Sequence, residues 1–278
     1  THYTTDTFQT PYVTTSANSF RLPTGFGTIS NTNNSLTAAQ KAAFHTVDTV
    51  GPNRKNTSLS AGYNISPRWG VKFDFNHLDQ TGTKVASIGS AAGKFASDAT
   101  TPGGEIISYL TTPTNYTTDT MTLAVNWAGD GAYATASYFS STFKDAYNSY
   151  SFQTYNVANN IQTVSTAPSN TFEQINLSGG YKLAPKTKLS GGISYGVNRQ
   201  NEAFAVDSFM LATQVPAALG NSKTSMDGLV ESTHADLKLS DQSFANWSLS
   251  AGLRYDDRHN RSASSIYSAY GIDGQARN

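Results

Sequence analysis

Apolar and polar residues trade places at every second position through most of the chain. Leu59, Ala61, Tyr63 and Ile65 alternate with Ser58, Ser60, Gly62 and Asn64. Leu249, Ala251, Leu253 and Tyr255 alternate with Ser248, Ser250, Gly252 and Arg254. A period of two gives strands with two unlike faces. The connections alternate as well, short turns with long polar loops. An antiparallel barrel in an outer membrane has that rhythm, with tight turns on one rim and long loops on the other. The expected fold is therefore all-β, an antiparallel transmembrane β-barrel.

Four hairpins are expected. The first pairs 55–66 with 70–80 through Pro67-Arg68-Trp69-Gly70, and the second pairs 116–128 with 131–144 through Gly129-Asp130-Gly131. The third pairs 172–184 with 187–199 through Pro185-Lys186, and the fourth pairs about 229–240 with 246–258. Pro and Asp-Gly supply the backbone angles of tight turns. Strands of about 10 to 13 residues exceed the usual 5 or 6 of globular sheets and meet the roughly 9 to 11 of a tilted membrane strand. Residues 2–14 read as a weak first strand. The stretch 15–52 reads as a long connection, in which Leu36–Val47 has helical spacing. The loops 81–115, 145–171 and 200–228 would share one rim.

Composition agrees. Charged residues are 14% of the 278, and the formal net charge is +0. Binding nucleic acid calls for a basic excess to neutralise phosphates, so such a partner is excluded. Mean hydropathy is −0.41, and no apolar run reaches the ~20 residues of a spanning helix. A barrel passes both tests, because each strand averages a greasy face with a wet one. The Cys count of 0 excludes disulfides, zinc–thiolate sites, iron–sulfur clusters and covalently attached haem on this chain, and no cofactor of its own is expected. The start at Thr1 and the end at Ala276-Arg277-Asn278 read as those of one barrel domain over 1–278, part of a larger barrel.

Face assignments follow from parity. Lys72, Asp74, Lys182, Lys188, His234, Asp236, Lys238, Arg254 and Asp256 fall on the polar face. Leu59, Phe73, Leu123, Leu177, Ile193 and Leu249 fall on the apolar face and are expected to meet lipid. A charge on the lipid face at mid-bilayer costs about 2–4 kcal/mol. Aromatics near strand ends (Trp69, Trp127, Tyr181, Tyr195, Trp247, Tyr255) suit interfacial girdles.

Candidate chemistry is sparse. Asp256-Asp257-Arg258-His259 is the densest charged cluster, and its plainer reading is a strand end meeting solvent. No Ser/His spacing stands out. His45, His77 and His234 are scattered, without a metal-binding pair. Gly25-Phe26-Gly27 lacks the strand–turn–helix setting of a phosphate loop. No enzymatic role is expected.

Several stretches carry a family resemblance. They are Gly51-Pro52-Asn53-Arg54 entering a strand, Ile65-Ser66-Pro67-Arg68-Trp69, and the run from Asn76-His77-Leu78-Asp79 through Gly82-Thr83-Lys84. Pro113-Thr114-Asn115-Tyr116-Thr117-Thr118-Asp119-Thr120 and Gly252 to Arg261 complete the set. The last is close to an Arg-Tyr-Asp-x-Arg-x-Asn pattern. In order and spacing these resemble the MtrB/PioB family of decahaem-associated outer-membrane proteins. Barrels of that family have roughly two dozen strands, near the top of the known 8–26 range, so about nine strands here would be under half of one.

The resemblance implies an outer-membrane barrel that sheathes a periplasmic multihaem c-type cytochrome and so supports electron transfer across the membrane. An extracellular multihaem cytochrome would be a further partner. Haem would belong to the partner, and the polar-face charges would be lumen-facing cytochrome contacts. Two other readings are a porin or solute-transporter barrel and a soluble secreted β-sandwich or adhesin.

Overall fold

The computed structural model describes residues 8–23, 37–47, 51–91, 105–153, 161–205, 225–263, 269–270 and 276–277. The first elements are β1 (Phe8–Thr10), β2 (Val13–Ser16), β3 (Ser19–Arg21), α1 (Ala38–Ala42) and β4 (His45–Val47). Then come β5 (Gly51–Ser66), β6 (Trp69–Ala91), β7 (Glu105–Gly129), β8 (Ala132–Asp145), β9 (Ser149–Gln153) and β10 (Ile161–Ser165). The last are β11 (Asn170–Ala184), β12 (Thr187–Gln200), β13 (Gly228–Asp241), β14 (Leu249–Asn260), β15 (Ala269–Tyr270) and β16 (Ala276–Arg277).

All four expected hairpins form, and they join into one sheet of 8 strands in the order β14-β13-β12-β11-β8-β7-β6-β5. Every pairing in it is antiparallel. Gly131, with φ of 86°, supplies the left-handed residue of the Asp130-Gly131 turn. The register carries apolar rows straight across. Phe73, Leu123, Tyr138, Ile175 and Tyr195 are successive partners on β6, β7, β8, β11 and β12.

Among the described residues, β5 and β14 each have one unpaired edge. Bare strand edges do not occur in hydrocarbon, where every backbone group must be satisfied internally. In a membrane this sheet is therefore part of a closed wall.

Three expectations change. The sheet has 8 strands rather than about nine, because the segment read as a first strand is used elsewhere. Phe8–Thr10 pairs with His45–Val47, and Val13–Ser16 pairs with Ser19–Arg21. The helix expected over Leu36–Val47 is only Ala38–Ala42, capped by a reciprocal Thr37–Gln40 box. Its remainder contains β-branched Thr46 and Val47, and pairing with β1 draws His45–Val47 into a strand. The loop expected over 81–115 is largely strand, with β6 and β7 paired out to Ala91–Glu105. Gly25-Phe26-Gly27 lies outside the described residues.

The β6–β7 hairpin outruns its neighbours. β5 ends against it at the Gly51–Thr83 pair and β8 at the Asp145–Tyr116 pair. At about 3.3 Å per residue the rest extends roughly 25 Å past the wall. Gly82 sits where β5 ends, with φ of 141°, and a Cβ there would lie 2.3 Å from the Gly51 carbonyl oxygen. Gly82→Ala should force the start of β5 away from β6. Hydrogen exchange should then quicken at residues 51–56 and stay unchanged at the short turns.

A small four-stranded sheet, β10-β9-β3-β2, sits against this projection. Its buried residues Phe20, Tyr150 and Phe152, with Tyr12 just before β2, close over Leu110 of β7. Leu110, Thr112 and Thr114 are all buried. They have the parity of Thr122, Ala124 and Asn126, and the β6–β7 register is unbroken from Trp69–Trp127 to Ala91–Glu105. This cap therefore packs on the polar-face side of the projection. Where β8 leaves the wall beneath the cap, burial pushes the Asp145 carboxyl up from its ordinary pKa, and its Oδ2 is buried without a hydrogen-bond partner.

Candidate functional site

The large sheet offers two extended surfaces of opposite chemistry. One carries Leu59, Tyr63, Ile65, Trp69, Leu123, Ile175, Leu177, Tyr181, Ile193, Leu237, Leu253 and Tyr255, all exposed. A soluble sandwich would bury this face. A contiguous apolar patch of this extent fits a lipid-facing wall. Near the short turns it ends in aromatics, with the Trp69 and Trp127 rings 6.5 Å apart.

Toward the long loops the same face turns charged. His77 stands between Asp119 at 2.6 Å and Asp79 at 3.2 Å. Arg199 pairs with Glu173 at 2.8 Å, and Arg261 with Glu231 at 2.9 Å. Tyr138 and Tyr195 donate their hydroxyls to Glu173 and Glu231. Sequence reading missed this border and took His77 as isolated. The signal was present, since His77 and Asp79 share the parity of Phe73 and Phe75, and Asp119 shares that of Met121. Charges on this face thus flank the apolar band, these clusters toward the long loops and Asp241 at the short-turn rim. An aromatic body in the band with a polar tip outside it is the usual girdle arrangement.

The opposite face is the candidate functional surface. By register it carries Lys72, Asp74, Lys182, Lys188, His234, Asp236, Lys238, Arg254 and Asp256. Leu59, Phe73, Leu123, Leu177, Ile193 and Leu249 share the other face. The polar-face charges gather at two flanks. On the β5–β6 flank, Lys72 Nζ lies 2.8 Å from Asp74, and Ser60 donates to the same carboxylate at 2.6 Å. On the β13–β14 flank, His234 Nδ1 is 2.6 Å from Asp256 Oδ1, and Arg254 Nε donates to Asp256 Oδ2 at 2.5 Å. His234 Nε2 is 3.5 Å from Asp236.

Between the flanks many side chains are small and polar (Thr122, Asn126, Thr135, Ser137, Asn176, Ser178, Ser190 and Ser194), with the aromatics Tyr133, Phe139 and Phe172 among them and Lys182 and Lys188 toward the short turns. Gly180 and Gly196 lie among them, and aromatics cover both. A Cβ on Gly180 would meet the Tyr133 ring at 2.6 Å, and one on Gly196 the Phe172 ring at 2.9 Å. Lys182 and Lys188 oppose each other directly. They and Lys238 have no ion-pair partner among the described residues, so three ammonium groups stay open toward this face. Like charges directly opposite each other are unfavourable without a counter-charge.

Asp257 and His259 leave this surface for the other face, and only Asp256 and Arg258 of the dense cluster remain on it. Among the described residues no group of three or more His, Asp or Glu side chains could hold a metal ion.

Long antiparallel strands, an exposed apolar band bordered by aromatics, and a polar opposite face define the wall of an outer-membrane β-barrel. The chain belongs to the MtrB/PioB family of outer membrane beta-barrel porins, whose profile matches residues 1–278. It is 26% identical over 211 residues to outer membrane protein MtrB of Shewanella baltica (strain OS185). That match covers 74% of this chain and 27% of the relative, so the chain spans about a quarter of that protein's length. Among solved structures it is similar to in-vitro folded OmpT, an outer membrane protein of Vibrio cholerae, with a TM-score of 0.34 and 12% identity. That likeness covers 78% of this chain and 55% of OmpT. The class and the outer-membrane location rest on the family match and on the sheet itself.

Proposed function

We propose that this chain forms wall of a barrel that sheathes a multihaem c-type cytochrome and so supports electron transfer across the bacterial outer membrane. One observation carries the reading. The polar face combines a centre of small polar residues and a few aromatics with charged flanks and three open lysines.

A water-filled pore needs only wettability. A protein occupant needs a surface smooth enough for close approach and charged groups that fix its orientation. Lys182, Lys188 and Lys238 suit carboxylates, which haem propionates and acidic side chains supply. Haem-to-haem hopping must cross about 30 Å of hydrocarbon, and a polar haemoprotein cannot meet lipid directly. The barrel's part is insulation and positioning, with haem on the partner and no catalysis by this chain. The nine polar-face charges are the proposed cytochrome contacts. Leu59, Phe73, Leu123, Leu177, Ile193 and Leu249 are the proposed lipid contacts. An extracellular multihaem cytochrome is the proposed receiver or donor outside.

Extraction of the native protein in mild detergent tests this. The expected result is a c-type haem Soret band co-purifying with the barrel, and salt should release it if the lysines hold it. A colourless barrel that conducts ions in bilayers would replace the sheath with a solute pore.

A further inference from the structure

The cap has a second face. Phe20, Tyr150 and Phe152 point from the small sheet into the core over Leu110. The alternate residues point the other way, and the register places Val13 opposite Arg21 and joins Ser149, Ser151 and Thr163 to the same side. Among the described residues this far face is rich in hydroxyls and has one cation, Arg21. Arg21 donates from one terminal nitrogen to the Phe20 carbonyl at 3.0 Å and toward Ser151 Oγ at 3.4 Å. A guanidinium has five N–H donors, so most of its capacity stays open.

The cap packs on the polar-face side of the β6–β7 projection, so its far face looks the same way as the polar face of the wall, one storey higher. Its two parts are tied to each other. Tyr12 donates its hydroxyl to the Gln153 carbonyl at 2.9 Å, and Asn18 Nδ2 donates to the Ser149 carbonyl at 3.0 Å. The parallel β3–β9 pairing ties the amino-terminal hairpin to the segment between β8 and β11. Two stretches more than 120 residues apart are thus bound into one ledge on the lumen side of the outer mouth.

We propose that this ledge is a docking surface for the outer end of the enclosed cytochrome, with Arg21 set to receive a surface carboxylate or haem propionate. The inference rests on the sheath reading and adds a position to it. The wall fixes the occupant sideways, and the ledge fixes how far outward it sits. A planar guanidinium suits carboxylates because it can bind them through two parallel hydrogen bonds.

Photo-cross-linking in the intact full-length complex tests it, with p-benzoylphenylalanine placed in turn at Val13 on the ledge, Ser178 on the wall's polar face and Thr57 on its outward face. Haem-stained adducts are expected from Val13 and Ser178 and not from Thr57. In the Val13 background, Arg21→Glu should cut the adduct yield several-fold, and Arg21→Lys should retain most of it. An adduct from Ser178 without one from Val13 would overturn the ledge and leave the sheath standing. Adducts from neither position would overturn both. A Val13 adduct only to a protein outside the cell would overturn the ledge as an inner stop and make it an outer docking site.

Discussion

Leu177→Arg should abolish membrane assembly, and Ser178→Arg, one residue along, should be tolerated. Leu177 lies in the middle of the sheet, paired with Ala136 on β8 and Ile193 on β12, and is 51% exposed. Its surroundings on that face are Ile175, Ile193, Leu237 and the Gly179–Gly191 pair, none of which can accept a hydrogen bond through its side chain. A guanidinium there costs about 2–4 kcal/mol at the bilayer midplane, a large fraction of a typical folding free energy. Ser178 faces the polar side, near Thr135 and Asp236, where a cation is solvated or paired. Leu249→Arg should do less harm than Leu177→Arg, because Leu249 pairs with Asp241 at the short-turn rim. Its Arg can reach water or that carboxylate. Ser250→Arg should again be tolerated. The measurement is the heat-modifiable folded band in outer-membrane fractions. Equal loss from Leu177→Arg and Ser178→Arg would refute the face assignment.

The wall was readable from sequence because parity is a local property. Once a hairpin turn such as Asp130-Gly131 fixes the register, one alternating strand dictates the faces of the next. That is why counting alone puts the nine charges on one face and the six apolar residues on the other, the same division the register gives. What was not readable depended on long-range pairing. Val13–Ser16 and Ser149–Gln153 have no distinctive composition, and their association through β3 joins distant segments. Nothing local distinguishes a polar loop from strands that pair only with distant segments. The β6–β7 projection was missed for a related reason. Thr81 to Lys84 and Pro113 to Thr118 are Thr-rich and contain Gly and Pro, which reads as loop, yet β-branched Thr suits a strand once a partner is present. The His77 cluster is not legible along one strand, because its partner Asp119 lies across the sheet on β7.

Phe152→Asp should release the cap and leave the wall in place. Phe152 is fully buried, as is Leu110 beneath it, and Phe20 and Tyr150 pack edge to face at 6.4 Å beside them. Truncating a buried phenylalanine alone costs about 3–5 kcal/mol. A carboxylate left in that apolar site adds a desolvation penalty. These are nearly all the buried hydrophobics among the described residues, so the cap has no second cluster to fall back on. The wall is held differently, by seven ladders of backbone hydrogen bonds and by lipid against its apolar face. Its assembly does not depend on this core. Limited proteolysis of whole cells should therefore cut the variant within 149–165 or 13–21, and the heat-modifiable band should persist. Val13→Asp, on the far face of the same sheet, should leave the protease pattern unchanged. Loss of the folded band along with the cap would mean that the cap core is needed to build the wall. The two layers would then be one folding unit, with the buried cluster at Leu110 as its nucleus.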